Sequence, residues 1–269
     1  MKAEKILFIT QEITPFVPES PMATVSHEFP QAIQDQVKEI RIFTPLWGII
    51  NTRRNNLHEV QRLSGMNLII DDTDHPLIIR VASLQATRMQ VYFIENEDYF
   101  HNRLMTTNAD GVEYSDNDER SIFFTLGVLE AVKKQRWCPE IIHCNGWMSA
   151  LVPLFVKNAY NDEPSFRDSK IIISLYDDVF KGELDADFAK KLLCKDMQEE
   201  VVADISSAVT YEELAKLAIK YCDGVIINSD NVSPTLVEYA KEQGKAILPK
   251  QTDETFAESC YSFYNTLLE

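Results

Sequence analysis

Short, unbroken apolar runs alternate with amphipathic stretches along most of the chain. Lys5–Thr10 (KILFIT), Glu39–Pro45 (EIRIFTP), Glu140–Asn145 (EIIHCN), Lys170–Leu175 (KIIISL) and Val225–Asn228 (VIIN) are of strand length. A continuous apolar run such as Lys5–Thr10 suits a parallel strand whose two faces are both covered by helices. Helical spacing fills the intervals. Met22–Gln36 reads as a helix in which Pro30 should cause a kink or a break. Asp116–Arg136 carries Ile122, Leu126, Leu129 and Val132 at spacings of three and four, with Asp116 or Ser115 as the candidate cap. Trp147–Tyr160 reads as a further helix, and Glu97–Leu104 as a short one.

The remaining segments are less regular. Gly48–Ser64 is polar and reads as a surface loop or loose helix. Three strand runs, MNLII, PLIIRVASL and RMQVYFIEN, are separated by Asp71–Asp74 and by Gln85-Ala86-Thr87, which predicts a hairpin or small meander. Asp185–Cys222 reads as two helices broken near Ser206-Ser207, the second opened by a Thr210/Glu213 capping box. Ser233-Pro234 opens another helix, Ala246–Leu248 makes a short strand, and Thr252–Leu268 ends as a helix with Phe256, Cys260, Phe263 and Leu267 on one stripe. Strands alternating with helices imply an α/β, doubly wound, mostly parallel sheet with a β-hairpin insertion, in a single domain over residues 1–269. The amphipathic last helix suggests a chain that ends by design.

Charge and cysteine content narrow the function classes. Acidic residues outnumber basic ones, 42 to 26, for a formal charge of −16. Such a surface repels nucleic-acid phosphates and anionic membranes, so neither is an expected partner. The five cysteines are odd in number and have no C-x-x-C spacing, which fits reduced thiols in a cytoplasm. Cys144 has no evident base partner and reads as a buried thiol. No stretch approaches the roughly 20 apolar residues of a membrane helix. Asp71, Asp72, Asp74 and His75 have the composition of a metal cluster but the setting of a turn, so no metal is expected.

In doubly wound sheets, ligands sit beyond the carboxyl ends of the strands. Four segments fall there: Gln11–Thr24, His143–Met148, Tyr176–Gly182 and Asn228–Ser233. KILFITQEITPF, SDNDERSIFF, WCPEIIHCNGWMSALVPLFVK, ISLYDDVFKG and CDGVIINSDNVSP together resemble the N-terminal half of bacterial glycogen and starch synthases, which are GT-B-type glycosyltransferases. The likeness runs from about Lys5 to Tyr239 and is most specific over Glu119–Lys157. It implies one Rossmann-like half of a two-domain enzyme, with the second domain absent from these 269 residues.

The departures from the family pattern fall on its functional positions. Where the family carries Lys-Thr-Gly-Gly, this chain has Pro18-Glu19-Ser20-Pro21. A cation and a close-approach backbone are gone, and an anion is added. Hydrogen bonds to charged groups contribute roughly 1.5–3 kcal/mol each, so the loss weakens a sugar diphosphate on the order of a hundredfold or more. In the family's His-x-His-Asp-Trp-His motif, His143, Asn145, Gly146, Trp147 and Met148 stand here, and Met148 replaces the histidine that contacts the donor sugar. Ser174, Leu175, Tyr176 and Asp177 stand for Thr-Ile-His-Asn. The ligand-cleft candidates are therefore Glu19, Ser20, Thr24, His143, Asn145, Trp147, Met148, Tyr176 and Asp177, with no residue assigned a catalytic role.

For His143 the competing expectation is a hydrogen-bonded core histidine, and for Trp147 helix-to-sheet packing. Asp177-Asp178 reads as a solvated or capping pair. The resemblance thus implies a catalytically degenerate relative (a pseudo-enzyme) with a binding or regulatory role, its partner a glucan or a protein. Two alternatives stand beside it. One is a working glucosyltransferase that moves glucose from ADP-glucose to an α-1,4-glucan with a second domain supplied in trans. The other is a protein-interaction scaffold. No cofactor is expected unless ADP-glucose is used.

Overall fold

The computed structural model describes residues 2–84, 87 and 89–269. Ten strands form its sheet: β1 (Lys5–Thr10), β2 (Glu39–Pro45), β3 (His58–Glu59), β4 (Met66–Ile70), β5 (Thr73–Ser83), β6 (Gln90–Glu95), β7 (Ile141–Asn145), β8 (Lys170–Leu175), β9 (Gly224–Ile227) and β10 (Ala246–Leu248). The order is β10-β9-β8-β7-β1-β2-β6-β5-β3, with β4 paired to β5. Every pairing from β10 to β6 is parallel, and those of β5 with β6, β3 and β4 are antiparallel. The fold is thus α/β with a mostly parallel sheet, and the expected hairpin region stands at one end.

The strand sequences explain their places. β1, β7 and β8 are buried almost throughout, as strands covered on both faces must be. The β4–β5 hairpin alternates in burial, and it turns on Asp71 and Asp72, both at positive φ (47° and 60°). Two successive left-handed residues make the turn that matches strand twist, and aspartate tolerates that conformation. The expected turn is therefore shorter, because Thr73 and Asp74 already pair in β5. In the second separator, Gln85 and Ala86 lie outside the described residues, as does Arg88 of the third run.

The order in which strands join the sheet reverses between β1 and β7, so the right-handed crossover helices divide between the two faces. α1 (Pro21–Ile33) packs with α8 (Asp253–Leu267) on one face. α2 (Asn117–Lys134), α3 (Val152–Lys157), α6 (Tyr211–Tyr221) and α7 (Pro234–Glu242) pack on the other.

Several elements differ from the sequence reading, each for a local reason. Pro30 does not break α1, because its buried ring sits with Phe29 and Ile33 on the core side and only one helical donor is lost. Asp116 stands at the α2 N-cap but makes no capping bond, since both carboxylate oxygens take the Arg103 guanidinium at 2.7 and 2.8 Å. The expected 147–160 helix is a tight turn over Trp147–Ser149 followed by the shorter α3, which starts at Pro153's proline-favoured first turn. Glu97–His101 is one wide turn capped by Asn96.

Residues 185–222 hold single turns α4 (Phe188–Lys191) and α5 (Glu199–Val202) before α6, because Lys195 and Asp196 adopt positive φ and end helical continuity. The Thr210/Glu213 capping box of α6 is present.

Candidate functional site

The loops that follow β1, β8 and β9 converge with the start of α8 to enclose a groove of about 840 Å³. Glu19, Ser20 and Thr24 line it from the beginning of α1, Tyr176 and Asp177 from the end of β8, and Asn228 to Asn231 from the end of β9. Lys250, Asp253 and Phe256 close it from the α8 side.

The start of α1 decides what this groove can hold. A helix N-terminus attracts anions through free amides and its dipole. Here Pro21, the first helical residue, has no amide hydrogen. The Ala23 amide is already satisfied by Ser20 Oγ at 3.0 Å, and that hydroxyl donates to Glu12 Oε2 at 2.5 Å. A carboxylate therefore backs the cap, and Glu19 adds another at the rim.

The lining carries five carboxylates, Glu19, Glu28, Asp177, Asp230 and Asp253, against the single cation of Lys250. Lys250 is itself paired with Asp230. The Asn231 amide donates to Asp177 Oδ2 at 3.1 Å, and this bond, with Asp177's own backbone amide and Lys250, holds its carboxyl below the usual range. Asp177 therefore stays ionised at neutral pH.

The other four candidates lie beneath the groove, not in it. His143 is wholly buried in mid-β7, between Phe8 of β1 and Ile172 of β8. Its Nε2 meets Ser174 Oγ and its Nδ1 meets Tyr264 OH, both at 2.6 Å. Burial pushes its imidazole down to about 3, so it is neutral at physiological pH. This is the core histidine of the competing expectation.

Asn145 is buried and accepts the Tyr176 hydroxyl at 3.3 Å, so it steadies a groove residue from below. Trp147 packs edge-on against Phe180 at 5.0 Å. Met148 is fully buried, and its amide donates to Gln11 Oε1 at 3.2 Å.

Four residues outside the candidate set complete the surroundings. Asp178, half-buried beside Trp147, accepts that residue's amide at 3.2 Å. Burial, reinforced by Glu12, pushes its carboxyl up to about 7. It is a capping carboxyl, unlike its solvated neighbour Asp177. Glu28, Lys250 and Phe256 carry no motif, and only the packing of α8 against α1 brings them to the groove. Among the described residues no group of side chains could hold a metal ion, and no helix is long and apolar enough to cross a membrane.

Comparison with known proteins agrees with this architecture. The starch synthase catalytic domain family matches residues 5–247. The chain belongs to that family. It is 33% identical over 254 residues to the glycogen synthase of Chlorobium limicola, covering 91% of this chain and 52% of that one. It is 37% identical over 190 residues to the glycogen synthase of Pelodictyon phaeoclathratiforme, covering 70% and 39%. The chain thus spans about half the length or less of these curated relatives. The catalytic domain of Arabidopsis thaliana starch synthase IV, solved with ADP and acarbose, superposes with a TM-score of 0.71 at 14% identity, covering 94% of this chain and 52% of that one. At that identity the likeness speaks for the fold.

Proposed function

We propose that this domain is a catalytically degenerate member of the glycogen synthase family, with a binding or regulatory role in place of donor chemistry. The supporting observation is the start of α1, where a sugar diphosphate would need free amides and a cation. Pro21 supplies no amide, Ser20 Oγ occupies another, and Glu12 and Glu19 stand where the anion would approach. The groove's one lysine is already paired with Asp230.

A neutral glucan is free of this electrostatic penalty. The polar lining of Asn228, Ser229 and Asn231 offers hydroxyl and amide groups to a sugar.

Thermal unfolding of the purified chain tests it. Millimolar ADP-glucose should leave the midpoint unchanged, and maltoheptaose should raise it. A ligand at 100 times its Kd stabilises by about 2.7 kcal/mol, which is readily seen. A midpoint raised by submillimolar ADP-glucose, with labelled glucose entering glycogen, would establish the active alternative instead.

A further inference from the structure

We propose that the free edge of β4 is a docking site for an extended, uncharged peptide segment, which adds to the β4–β5 hairpin as a third strand. β4 pairs with β5 from Met66 opposite Leu77 to Ile70 opposite Thr73. Around a two-residue turn the flanking pair, Ile70 and Thr73, exchanges hydrogen bonds, and non-bonded and bonded pairs then alternate. Met66, Leu68 and Ile70 therefore bond to β5, and Asn67 and Ile69 do not. Pro76, which has no amide hydrogen, stands opposite Asn67 and agrees with that phase. The amides and carbonyls of Asn67 and Ile69 point away from β5. No second strand or loop among the described residues takes them up.

These four groups border a cavity of about 440 Å³, which Leu126 of α2, Tyr160, Lys190 of α4 and Leu193 also line. The two ends of the sheet are guarded: β3 has two residues, and β10 has three and runs into Pro249. Edges are kept short or broken by proline and charge because an open edge pairs with any available strand. β4 has none of these guards, being five residues, MNLII, without charge or proline. The chain's own ends meet on the opposite face of the sheet, beside α1 and α8, where the Ala3 amide donates to Asn265 Oδ1 at 2.8 Å. Anything joined to either end therefore starts from the far side of the sheet from β4.

Side-chain alternation sets the guest's chemistry. Leu68 is buried, and Asn67 and Ile69 are exposed. A guest residue opposite Leu68 faces inward toward Leu126 and is apolar, while its two neighbours stand outside beside Asn67 and Ile69. Lys190, Asp71 and Asp72 bring charges of both signs to the lining, so neither an acidic nor a basic guest is favoured. Backbone bonds to Asn67 and Ile69 supply the affinity, and the inward side chain supplies the selectivity. Walled on both sides by this chain, the cavity admits one strand and not the folded edge of a second copy. The site shares no residue with the groove at the carboxyl edge.

Amide hydrogen exchange of the whole chain, with and without a synthetic strand, tests it. The probe is acetyl-STVLVTS-amide, whose leucine falls opposite Leu68 and whose two valines fall opposite Asn67 and Ile69. In the chain alone the Asn67 and Ile69 amides should exchange at least about tenfold faster than those of Leu68 and Ile70. Saturating peptide should slow the first pair at least about tenfold and leave the second within about twofold, because only outward amides gain partners. The same peptide N-methylated at both valines lacks the two bonding amides and should bind at least about tenfold more weakly. Ile69→Pro removes an outward amide but no bond to β5, and should weaken the unmodified peptide to a similar extent. The two peptides use wild-type protein only, so the test stands even if that variant fails to fold. Slow exchange of Asn67 and Ile69 in the chain alone, no binding up to about 1 mM peptide, or equal binding of the N-methylated peptide overturns the proposal.

Discussion

Two clusters of charge in this molecule follow opposite rules. Beneath α2 each buried charge has an ion-pair or hydrogen-bond partner. Lys191 Nζ lies 2.8 Å from Asp118 and 2.7 Å from Glu119, and Glu119 also accepts the Tyr99 hydroxyl at 2.9 Å. Arg120, completely buried, donates to the Tyr99 and Met105 carbonyls and to Asn117, with Trp47, Phe100 and Tyr114 around its guanidinium. In the groove, by contrast, most carboxylates face solvent without a cation. Burial compels pairing because an unmatched charge in a low-dielectric interior is strongly destabilising. Solvent compels nothing. The matched cluster therefore reports on the fold, and the unmatched one on what the surface is free to bind.

The comparison is broken most sharply at Arg120. Arg120→Ala removes three hydrogen bonds and leaves the buried Tyr99 and half-buried Met105 carbonyls without these donors, for an expected loss of about 3–5 kcal/mol by denaturant unfolding. The arginine stays charged at neutral pH even though burial lowers it to about 10. A loss under about 1 kcal/mol would mean that the buried cluster is not what holds the β6–α2 junction together.

Asp178 lies between the two regimes and gives a pH test. Its folded carboxyl, at about 7, is above the ordinary value of 3.8, so the folded state holds the proton more tightly than the unfolded chain. Its contribution is fully present below pH 3.8 and is lost as pH rises through 7. Asp178→Asn stays neutral throughout, so its melting temperature should gain on wild type between pH 5 and pH 8. The gain should be on the order of 2–4 °C, equivalent to about 1 kcal/mol in a domain of this size. Parallel curves for the two proteins would place Asp178 with the solvated groove carboxylates.

The smallest effect is expected at Glu28→Gln, an exposed groove carboxylate without a cation. Its stability should change by less than about 0.5 kcal/mol. A larger loss in the same unfolding experiment would show that the groove's acids are paired after all, and the contrast would narrow.

Much of the frame was legible along the chain. Lys5–Thr10, Glu39–Pro45 and Lys170–Leu175 are strands with the expected bounds, because each holds a short apolar stretch of strand length that the core buries. The Thr210/Glu213 box marks α6 for an equally local reason, since both partners lie within one turn. The helical reading of 185–222 failed where propensity was the only guide: Lys195 and Asp196 turn left-handed there, a conformation no residue type announces.

The candidate site divides in the same way. Glu19, Ser20, Thr24, Tyr176 and Asp177 reach the groove because they follow strand ends on the carboxyl edge, a placement that topology dictates and sequence order reveals. His143, Asn145, Trp147 and Met148 share that address in the sequence, yet they are buried. Their burial is set by partners far away in the chain: Tyr264 for His143, Tyr176 for Asn145, Phe180 for Trp147 and Gln11 for Met148.

By itself the sequence determined the α/β alternation, because it is written in residue type and local spacing, and its motifs carried the resemblance to the family. Only the tertiary structure decided which polar residues face solvent and which groups meet across the groove. Burial and contact between distant segments depend on how α8 docks against α1 and the sheet, and no local pattern carries that information.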